Sequence, residues 1–220
     1  MAKEISVQTL QRLPLYLQYL KTLPPKGEKS ISARALGEAL GFGEIQVRKD
    51  LACVSDSGRP KTGYPAVELT RDIENFLGYD NVNDAVLVGA GRLGKALLSY
   101  EGFRAYGLNI VAAFDSSPEK CGGDESGKKI LPFSKLQNLC QRMKIELGII
   151  TVPASEAQAV CDVLVGSGVK AIWNFAPTHL HVPEEVILKN ENIAASLAVL
   201  SKSLAKSESQ FLNPAAVNER

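Results

Sequence analysis

The sequence predicts an α/β protein, in which a small helical domain precedes a doubly wound parallel sheet. Apolar residues recur at helical spacing as far as about residue 80, whereas short β-rich runs alternate with helical ones after it. A run of turn-forming residues, GYDNVND at 78–84, separates the two patterns. We therefore expect one domain over 1–80, a second over 81–188, and a C-terminal helix and tail over 189–220.

The composition indicates a globular protein and limits its partners. The 220 residues are 45% hydrophobic and 22% charged, with a formal net charge of +1. A nearly neutral chain has no bulk attraction to phosphate, so any surface for nucleic acid must be local. The sequence shows no signal-peptide pattern and no apolar run of the ~20 residues that a membrane span needs. We expect a cytoplasmic protein with no membrane partner.

The residue types that bind metals are few and poorly spaced. The four cysteines form no C-x-x-C pair, and we expect each to be a buried free thiol. They are Cys53, Cys121, Cys140 and Cys161. The two histidines, His179 and His181, stand two residues apart without a companion cluster of cysteines or carboxylates. We expect them on a surface loop and predict no metal site.

The first domain begins with two helices. The first is expected over 8–22, and Pro14 indicates a start near residue 13, because proline fits best in a first turn. Its inward stripe comprises Leu10, Leu13, Leu17 and Leu20. The second helix follows Ser32, a suitable N-cap, and ends at Gly41, a natural C-terminal glycine.

A third helix, roughly Glu44 to Val54, follows the short turn GFG and completes a helix-turn-helix signature. Its inward residues are expected to be Ile45, Val47, Leu51 and Val54. Its outward residues are expected to be Gln46, Arg48 and Lys49. The segment SGRPKTGYP then predicts a hairpin tip that carries Arg59 and Lys61, which makes the domain a winged helix. A further amphipathic helix, over 66–78, has as its apolar residues Val67, Leu69, Ile73, Phe76 and Leu77.

The second part predicts a parallel sheet with helices on both faces, because continuous apolar runs alternate with helical ones. The expected strands are 85–89, 109–114, 128–131, 146–152 and 169–175. The expected helices are 92–101, 133–143 and 154–166. A last helical run, 191–206, carries an apolar stripe that needs a partner. The stripe comprises Ile193, Leu197, Leu200 and Leu204.

A glycine-rich turn has the spacing of a dinucleotide-binding motif, Gly89-x-Gly91-x-x-Gly94, and it lies between a strand and a helix. In this motif the first glycine allows a tight turn, the second admits the pyrophosphate and the third allows close packing. Asp115 ends the next strand, where a carboxylate can accept both ribose hydroxyls and favours NAD(H) over NADP(H). The alternative is a bare parallel-sheet domain in which Asp115 only caps the next helix.

The sequence offers little for catalysis. A dehydrogenase needs a proton donor or acceptor beside the nicotinamide and a pocket for its substrate. Neither is apparent after the nucleotide fold, so we predict that the protein is not an enzyme. Two other functions stay open: an NAD-dependent oxidoreductase with an N-terminal helical extension, and a CoA- or nucleotide-binding module used for assembly.

Six segments together carry a family resemblance: ALGFGEIQVRKDL, a basic wing ending in GY, VGAGRLGKALLSYEGF, AAFDSSPEK, ITVPA and NFAP. Between about Leu13 and Leu204 the chain resembles Rex, the bacterial family of redox-sensing transcriptional repressors. The resemblance implies a homodimer that binds operator DNA when NADH is scarce and leaves it when NADH binds. For this function we expect the operator to be an A·T-rich inverted repeat. The resemblance also implies that the C-terminal helix crosses to the partner subunit.

The resemblance assigns roles by position. Gln46, Arg48 and Lys49 match the recognition helix, while Arg59 and Lys61 match the wing, which would enter a minor groove. Residues at cofactor-binding positions, for NADH or NAD+, are Gly89, Ala90, Gly91, Arg92, Leu93, Gly94, Tyr100, Asp115, Thr151, Val152 and Pro153. Tyr100 matches a tyrosine that the family places close to the nicotinamide.

The chain departs from the family pattern at two places. Its wing, SGRPKTGYP, is poorer in glycine than the usual family wing and lacks the usual basic pair before Gly-x-Gly-Tyr. Asn192 stands where the family commonly has an aspartate that faces an arginine matching Arg12. Arg12 is therefore expected to find another acid, or the closed state is held differently.

Overall fold

The computed structural model describes residues 5–24, 30–123 and 127–211, with only the backbone described at 193 and 206–211. The chain forms two compact units, one of Met1–Val82 with Ala105–Gly107 and one of Asn83–Arg104 with Leu108–Arg220. Each unit has hydrophobic clusters of its own. The division falls between Val82 and Asn83, close to the turn-rich segment that separates the two sequence patterns.

The first unit is a winged helix, as the sequence predicts. Its elements are α1 (Val7–Thr22), β1 (Ser30–Ile31), α2 (Ala33–Leu40), α3 (Glu44–Leu51), β2 (Tyr64–Pro65) and α4 (Ala66–Leu77). β1 pairs antiparallel with β2. The predicted caps of α2 are confirmed, since the Ser32 hydroxyl accepts the N–H of Ala35 at 3.0 Å and Gly41 ends the helix. Between α3 and β2, Arg59 bridges Gly63 across the hairpin tip.

The expected start of α1 near residue 13 is wrong. The helix begins at Val7, where the Ser6 hydroxyl accepts the N–H of Thr9 at 3.2 Å, and Pro14 lies inside it. An internal proline removes one helical hydrogen bond, the one to the carbonyl four residues earlier. That carbonyl belongs to Leu10, which is exposed rather than buried as expected, so water can satisfy it.

The expected inward side of α3 is also partly wrong. Val47 and Leu51 are buried as expected, and the third buried residue is Asp50. Ile45 is 69% exposed, because two residues along a helix correspond to about 200° of rotation and place it opposite Val47. α3 ends at Leu51, so Val54 lies beyond the helix and is half-buried.

The same kind of error affects α4. Val67 and Phe76, which we expected on its apolar side, are exposed. The residues that face the core are Ala66, Leu69 and Ile73, which follow the three- and four-residue spacing of one helix face. An apolar side chain alone therefore does not identify the inward face of a helix this short.

The second unit is a seven-stranded sheet in the order β5-β6-β4-β3-β7-β8-β9. The strands are β3 (Asn83–Val88), β4 (Leu108–Asp115), β5 (Gly122–Gly123), β6 (Lys129–Pro132), β7 (Leu147–Ile150), β8 (Ala171–Asn174) and β9 (Ile187–Asn190). All neighbouring strands are parallel except β5 and β6. The chain runs outward from β3 on one side and then returns to β7 on the other, which creates a switch point at the carboxyl end of β3.

Helices cover both faces of this sheet, so the doubly wound fold is confirmed. α5 (Arg92–Ser99), α6 (Leu136–Met143) and α7 (Ala154–Gly166) pack on the sheet, and a further helix, α8 (Ile193–Phe211), follows β9. Alternate residues of β3 enter different clusters: Ala85 packs with Leu98 of α5, whereas Val86 packs with residues of α6 and α7. The expected helix over 92–101 ends early and gives way to a 3-10 helix, Glu101–Tyr106.

The sequence did not predict the two edge strands, β5 and β9. An edge strand buries little: β5 is two exposed glycines, and β9 has only the short apolar run 186–188, so neither shows the long apolar run of a strand that is buried on both faces. The expected helix over 191–206 is confirmed as α8, although it starts and ends later. Leu197 and Leu200 of its apolar stripe are 62% and 61% exposed. Within the described residues, no helix is both long enough and apolar enough to cross a membrane.

The expectation that all four cysteines are buried is wrong for half of them. Cys140 and Cys161 are buried, but Cys53 is exposed just after α3 and Cys121 is partly exposed. Burial raises the pKa of the Cys140 thiol to about 11, which keeps it protonated. Within the described ranges, no three His, Cys, Asp or Glu residues cluster closely enough to hold a metal.

Candidate nucleotide-binding and DNA-binding sites

The glycine turn connects β3 to α5 at the switch point of the sheet. Gly89 has φ +103, and a Cβ there would lie 2.8 Å from the carbonyl carbon of Thr151. A Cβ on Gly94 would lie 1.9 Å from the carbonyl oxygen of Gly89. Both positions therefore exclude larger residues for steric reasons. A Cβ on Gly91 would meet no atom within 4 Å, so the turn is open on that side.

Thr151, at the end of β7, holds this turn in place. Its hydroxyl donates to the carbonyl oxygen of Gly89 at 2.7 Å and to that of Val88 at 3.1 Å. Its backbone N–H donates to the same Val88 carbonyl at 2.9 Å. These contacts tie the glycine turn to the neighbouring strand, so its shape is set before any ligand arrives.

α5 begins at this turn without a side-chain cap. Its N-cap residue, Gly91, makes no side-chain hydrogen bond, whereas Ser6 and Ser32 cap their helices. The first N–H groups of a helix have no partner within it and carry partial positive charge. The start of α5 thus has the properties of an anion-binding site.

Asp115 ends β4 beside the turn and is only 6% exposed. Its Oδ2 accepts the N–H of Ala90 at 2.8 Å, and its Oδ1 accepts the N–H of Ser117 at 2.9 Å. The Lys120 ammonium donates to both oxygens, at 3.0 and 3.2 Å. Burial by itself would raise the pKa of Asp115, but these bonds outweigh it and hold the pKa below its usual value. The carboxylate is therefore ionised and fixed in position.

A cavity of about 690 Å³ lies between the glycine turn, the end of β4 and α7. Six of the residues that we predicted for the cofactor line it: Gly89, Gly91, Asp115, Thr151, Val152 and Pro153. Ala90 lies behind the turn, where its N–H binds Asp115, and Arg92, Leu93 and Gly94 form the first turn of α5.

Ten other residues that line this cavity were not predicted from the sequence. They are Val88, Ser116, Ser117, Lys120, Phe133, Ser155, Glu156, Ala159, Val160 and Val163. Those near Asp115 and Pro153 could have been found, because ligands bind at the carboxyl ends of parallel strands and at the starts of the helices that follow. Phe133 could have been found by the same rule, because it begins the helix predicted over 133–143, directly after the strand predicted over 128–131.

Tyr100 lies apart from this cavity. It follows the last residue of α5 and is half exposed, and its ring packs edge-on against Phe103 with centroids 4.9 Å apart. Phe103 in turn contacts Trp173 of β8, at 5.9 Å. The predicted nicotinamide contact of Tyr100 is thus not assembled with the glycine turn in this structure.

The predicted DNA-contacting side chains are exposed on two sides of α3. On one side, Arg48 pairs with Glu44 one turn earlier. A hollow of about 530 Å³ places both beside Arg59 and Lys61 of the wing. Arg34, which the sequence analysis missed, lines the same hollow from the first turn of α2. Because Arg34 stands two residues after the N-cap Ser32, the sequence places it in the first turn of α2, and it could have been predicted as a candidate from that position.

Gln46 and Lys49 lie on the other side of α3. They line a second hollow, of about 540 Å³, together with Thr9 and Arg12 of α1. The predicted DNA-contacting residues are therefore divided: Arg48 shares a surface with the wing, whereas Gln46 and Lys49 share one with α1.

Arg12 has an acidic partner within its own unit, which is the first of the two alternatives that the sequence left open. Its Nε and Nη2 donate to the two carboxylate oxygens of Asp50, at 2.7 and 2.8 Å. The Tyr16 and Thr9 hydroxyls donate to the same carboxylate, at 2.8 and 3.0 Å. Asn192, in the other unit, accepts the N–H of Ala195 at 2.9 Å near the start of α8.

Both parts of the chain are similar to known proteins. Residues 80–178 match the model described as "CoA binding domain", and residues 4–52 match "Putative DNA-binding protein N-terminus". The redox-sensing transcriptional repressor Rex of Clostridium beijerinckii is 40% identical over 207 residues, which are 94% of this chain and 98% of that protein. That of Bacteroides fragilis is 39% identical over 196 residues, 89% of each.

Solved structures of one repressor, RSP, match most of the chain. RSP in complex with β-NAD+ and operator DNA is 34% identical, with a TM-score of 0.87 over 98% of this chain and 100% of that one. RSP in complex with β-NADH is 35% identical, with a TM-score of 0.82 over 93% and 96%. A further structure of RSP is described as a Rex-family repressor. The chain therefore belongs to the Rex family of redox-sensing transcriptional repressors.

Proposed function

We propose that this protein is an NADH-responsive transcriptional repressor, and not an enzyme. As a homodimer in the cytoplasm, it binds an A·T-rich inverted-repeat operator when NADH is low and leaves it when NADH binds. The relative RSP has been solved with β-NAD+ and operator DNA, and also with β-NADH. One observation carries the proposal: a winged helix with a basic recognition surface and an assembled dinucleotide turn occur on the same chain.

The cofactor site is proposed from the fit of the residues present. The pyrophosphate would lie against the N–H groups at the start of α5, where Gly91 leaves room for it. The ribose hydroxyls would donate to Asp115 in place of the Lys120 ammonium, because the N–H groups of Ala90 and Ser117 and this ammonium now occupy its acceptor positions. A 2′-phosphate would instead meet an ionised carboxylate, so NAD(H) is preferred to NADP(H).

The DNA-binding roles follow from charge and position. We propose that Gln46, Arg48 and Lys49 of α3 enter the major groove and that the wing residues Arg59 and Lys61 reach the minor groove. Because the chain as a whole has a net charge of only +1, this local group of cations supplies the attraction to phosphate. We take the DNA-binding domain to be 1–80 and the cofactor domain to be 81–188.

The dimer is proposed from the exposed apolar side of α8. Leu197 and Leu200 of its apolar stripe are exposed, and an apolar hollow on the sheet is lined by Trp173 and Ile187 of β8 and β9. We propose that α8, within the C-terminal segment 189–220, crosses to the partner subunit and covers its apolar side there. The two recognition helices would then be held in a fixed relation.

The switch must depend on the nicotinamide, because NAD+ and NADH differ in its charge and planarity. A ligand shifts a conformational equilibrium only by its differential affinity for the two states. We propose that the nicotinamide lies in a predominantly apolar pocket at the subunit interface, where a buried cation is disfavoured. Bound NADH would therefore favour a closed dimer, whose recognition helices no longer match major grooves ~34–36 Å apart.

The test is a fluorescence-anisotropy titration of the purified protein on an A·T-rich inverted-repeat duplex. Unliganded protein should bind as a dimer, NADH should release the duplex, and NAD+ should do so much less. Coupling of 1–3 kcal/mol corresponds to a change of about 5- to 150-fold in affinity. DNA binding that is indifferent to both cofactors would refute the proposal, and so would catalytic turnover of NADH without any DNA binding.

A further inference from the structure

The outward face of α3 has an apolar residue at its centre. The inward residues are Val47, Asp50 and Leu51, and Ile45 is two residues from Val47, which places it about 200° around the helix. Lys49, four residues after Ile45, lies on the same outward face. Gln46 and Arg48 are each about 100° from Val47 and therefore flank this face on its two sides.

The surroundings of Ile45 are polar and charged. Gln46 and Lys49 line the same hollow as Ile45, and Arg48 and the wing cations lie on the other side of the helix. Ile45 is 69% exposed in this setting. Single exposed apolar residues are common on protein surfaces, so exposure alone assigns no role. The role is instead inferred from the position of Ile45, which is the second residue of the proposed recognition helix.

The N-terminal residues of a recognition helix contact base edges in the major groove. An isoleucine side chain has neither a donor nor an acceptor, so it can read only an apolar feature. The 5-methyl group of thymine is the apolar group that base pairs present in the major groove. Cations on both sides of Ile45 would bring the helix against the phosphates and press this side chain toward the bases.

We propose that Ile45 determines sequence specificity by packing on the 5-methyl group of one thymine in each operator half-site. The proposal rests on the DNA-binding function proposed above and adds the base that is read. The residues of α3 then have different roles. Arg48 and Lys49 supply attraction to the DNA backbone and to polar base edges, and Ile45 selects a methyl group.

The experiment uses the full-length protein and a duplex selected by it from a random-sequence DNA library. Each thymine of the duplex is replaced in turn by deoxyuridine, which removes only the 5-methyl group. Dissociation constants are measured by anisotropy for the unaltered protein, for Ile45→Ala and for a control, Val7→Ala. Val7 is 65% exposed and, two residues from the buried Thr9, lies on the other face of α1.

The unaltered protein should lose about fourfold in affinity at one thymine of each half-site, the effect of one methyl group removed from an apolar contact. Ile45→Ala should bind the thymine duplex more weakly and be insensitive to deoxyuridine at that position alone. Val7→Ala should behave like the unaltered protein. Circular dichroism should show that both variants are folded.

Two outcomes would overturn the inference while leaving the DNA-binding function intact. One is an unaltered protein that tolerates deoxyuridine at every position. The other is an Ile45→Ala variant that retains the full thymine preference. If no duplex is selected from the library at all, the proposed function itself fails, and the inference fails with it.

Discussion

Arg12 on α1 binds both carboxylate oxygens of Asp50 on the recognition helix α3, at 2.7 and 2.8 Å. Asp50 is 4% exposed and also accepts hydrogen bonds from Tyr16 and Thr9, so the buried charge is fully satisfied. This network attaches the DNA-reading helix to α1. It also supplies the acid that Asn192 does not provide to Arg12.

Asp50→Asn should destabilise the protein strongly, because it leaves the Arg12 guanidinium partly buried without a charged partner. Breaking a buried pair by removing one member costs about 3–5 kcal/mol. Urea unfolding followed by circular dichroism measures the free energy of unfolding. The control is Glu38→Gln, which breaks the exposed Arg34–Glu38 pair and should leave the free energy of unfolding nearly unchanged. Similar losses in the two variants would contradict the assignment.

The stability of the protein should fall in acid partly through Asp50. Burial alone would raise the pKa of Asp50, but the hydrogen bonds from Arg12, Tyr16 and Thr9 lower it below its usual value. The folded state therefore binds this proton less readily than the unfolded chain does. The contribution is complete above the unfolded pKa of about 4 and is lost as the pH falls through the lower folded value. Urea unfolding between pH 7 and pH 3 should show this loss, and Asp50→Asn should flatten the profile.

Alanine at two glycines of the turn should have different effects. Gly94→Ala places a methyl group 1.9 Å from the Gly89 carbonyl oxygen, so it should lower the free energy of unfolding as well as NADH binding. Gly91→Ala meets no protein atom and should fold normally, yet it should weaken NADH binding because the methyl group occupies the side open to a ligand. Thermal unfolding and calorimetric titration with NADH distinguish the two effects. Normal NADH binding by Gly91→Ala would argue against a pyrophosphate at this turn.

Asp115→Ala should weaken NADH binding about ten- to hundredfold, since hydrogen bonds to a charged group contribute about 1.5–3 kcal/mol each. It should leave DNA affinity in the absence of cofactor unchanged, because the winged helix is a separate unit. Calorimetry with NADH and anisotropy with operator DNA measure the two affinities. A folded variant that has lost DNA binding would contradict the separation of the two roles.

The double variant Arg59→Ala, Lys61→Ala should bind all DNA sequences more weakly. Two cations removed from the minor groove no longer neutralise the phosphates on either side of it, which should reduce the slope of log K against log salt by about two. Affinity for NADH should not change. Lys170→Ala, an exposed lysine in the other unit, is the matched control and should leave the slope unaltered. A variant whose salt slope equals that of the unaltered protein would remove the wing from the DNA interface.

Local signals in the sequence account for much of the fold. Ser32 and Gly41 bound α2 through interactions that reach no more than a few residues. The alternation of apolar strands with helices is equally local, and it predicts the parallel sheet. The roles of Gly89 and Gly94 can be predicted for the same reason. A tight turn at Gly89 and close packing of α5 on this turn at Gly94 leave no room for a larger residue.

Other features were decided by tertiary packing. Pro14 lies inside α1 because burial of Leu13 and Leu17 outweighs one lost hydrogen bond. Phe133 lies in the cavity beside Asp115 because β6 pairs with β4, and the local sequence does not specify the order of the strands.

By itself, the sequence determined the two domains, the dinucleotide turn and the family, since each depends on residue types at fixed short spacings. Only the tertiary structure decided that Ile45 faces outward, that Asp50 is buried, and that Arg12 is its partner. The physical reason is that a short helix offers several faces of similar hydrophobicity. Which face turns inward is set by packing and hydrogen bonding against residues far along the chain.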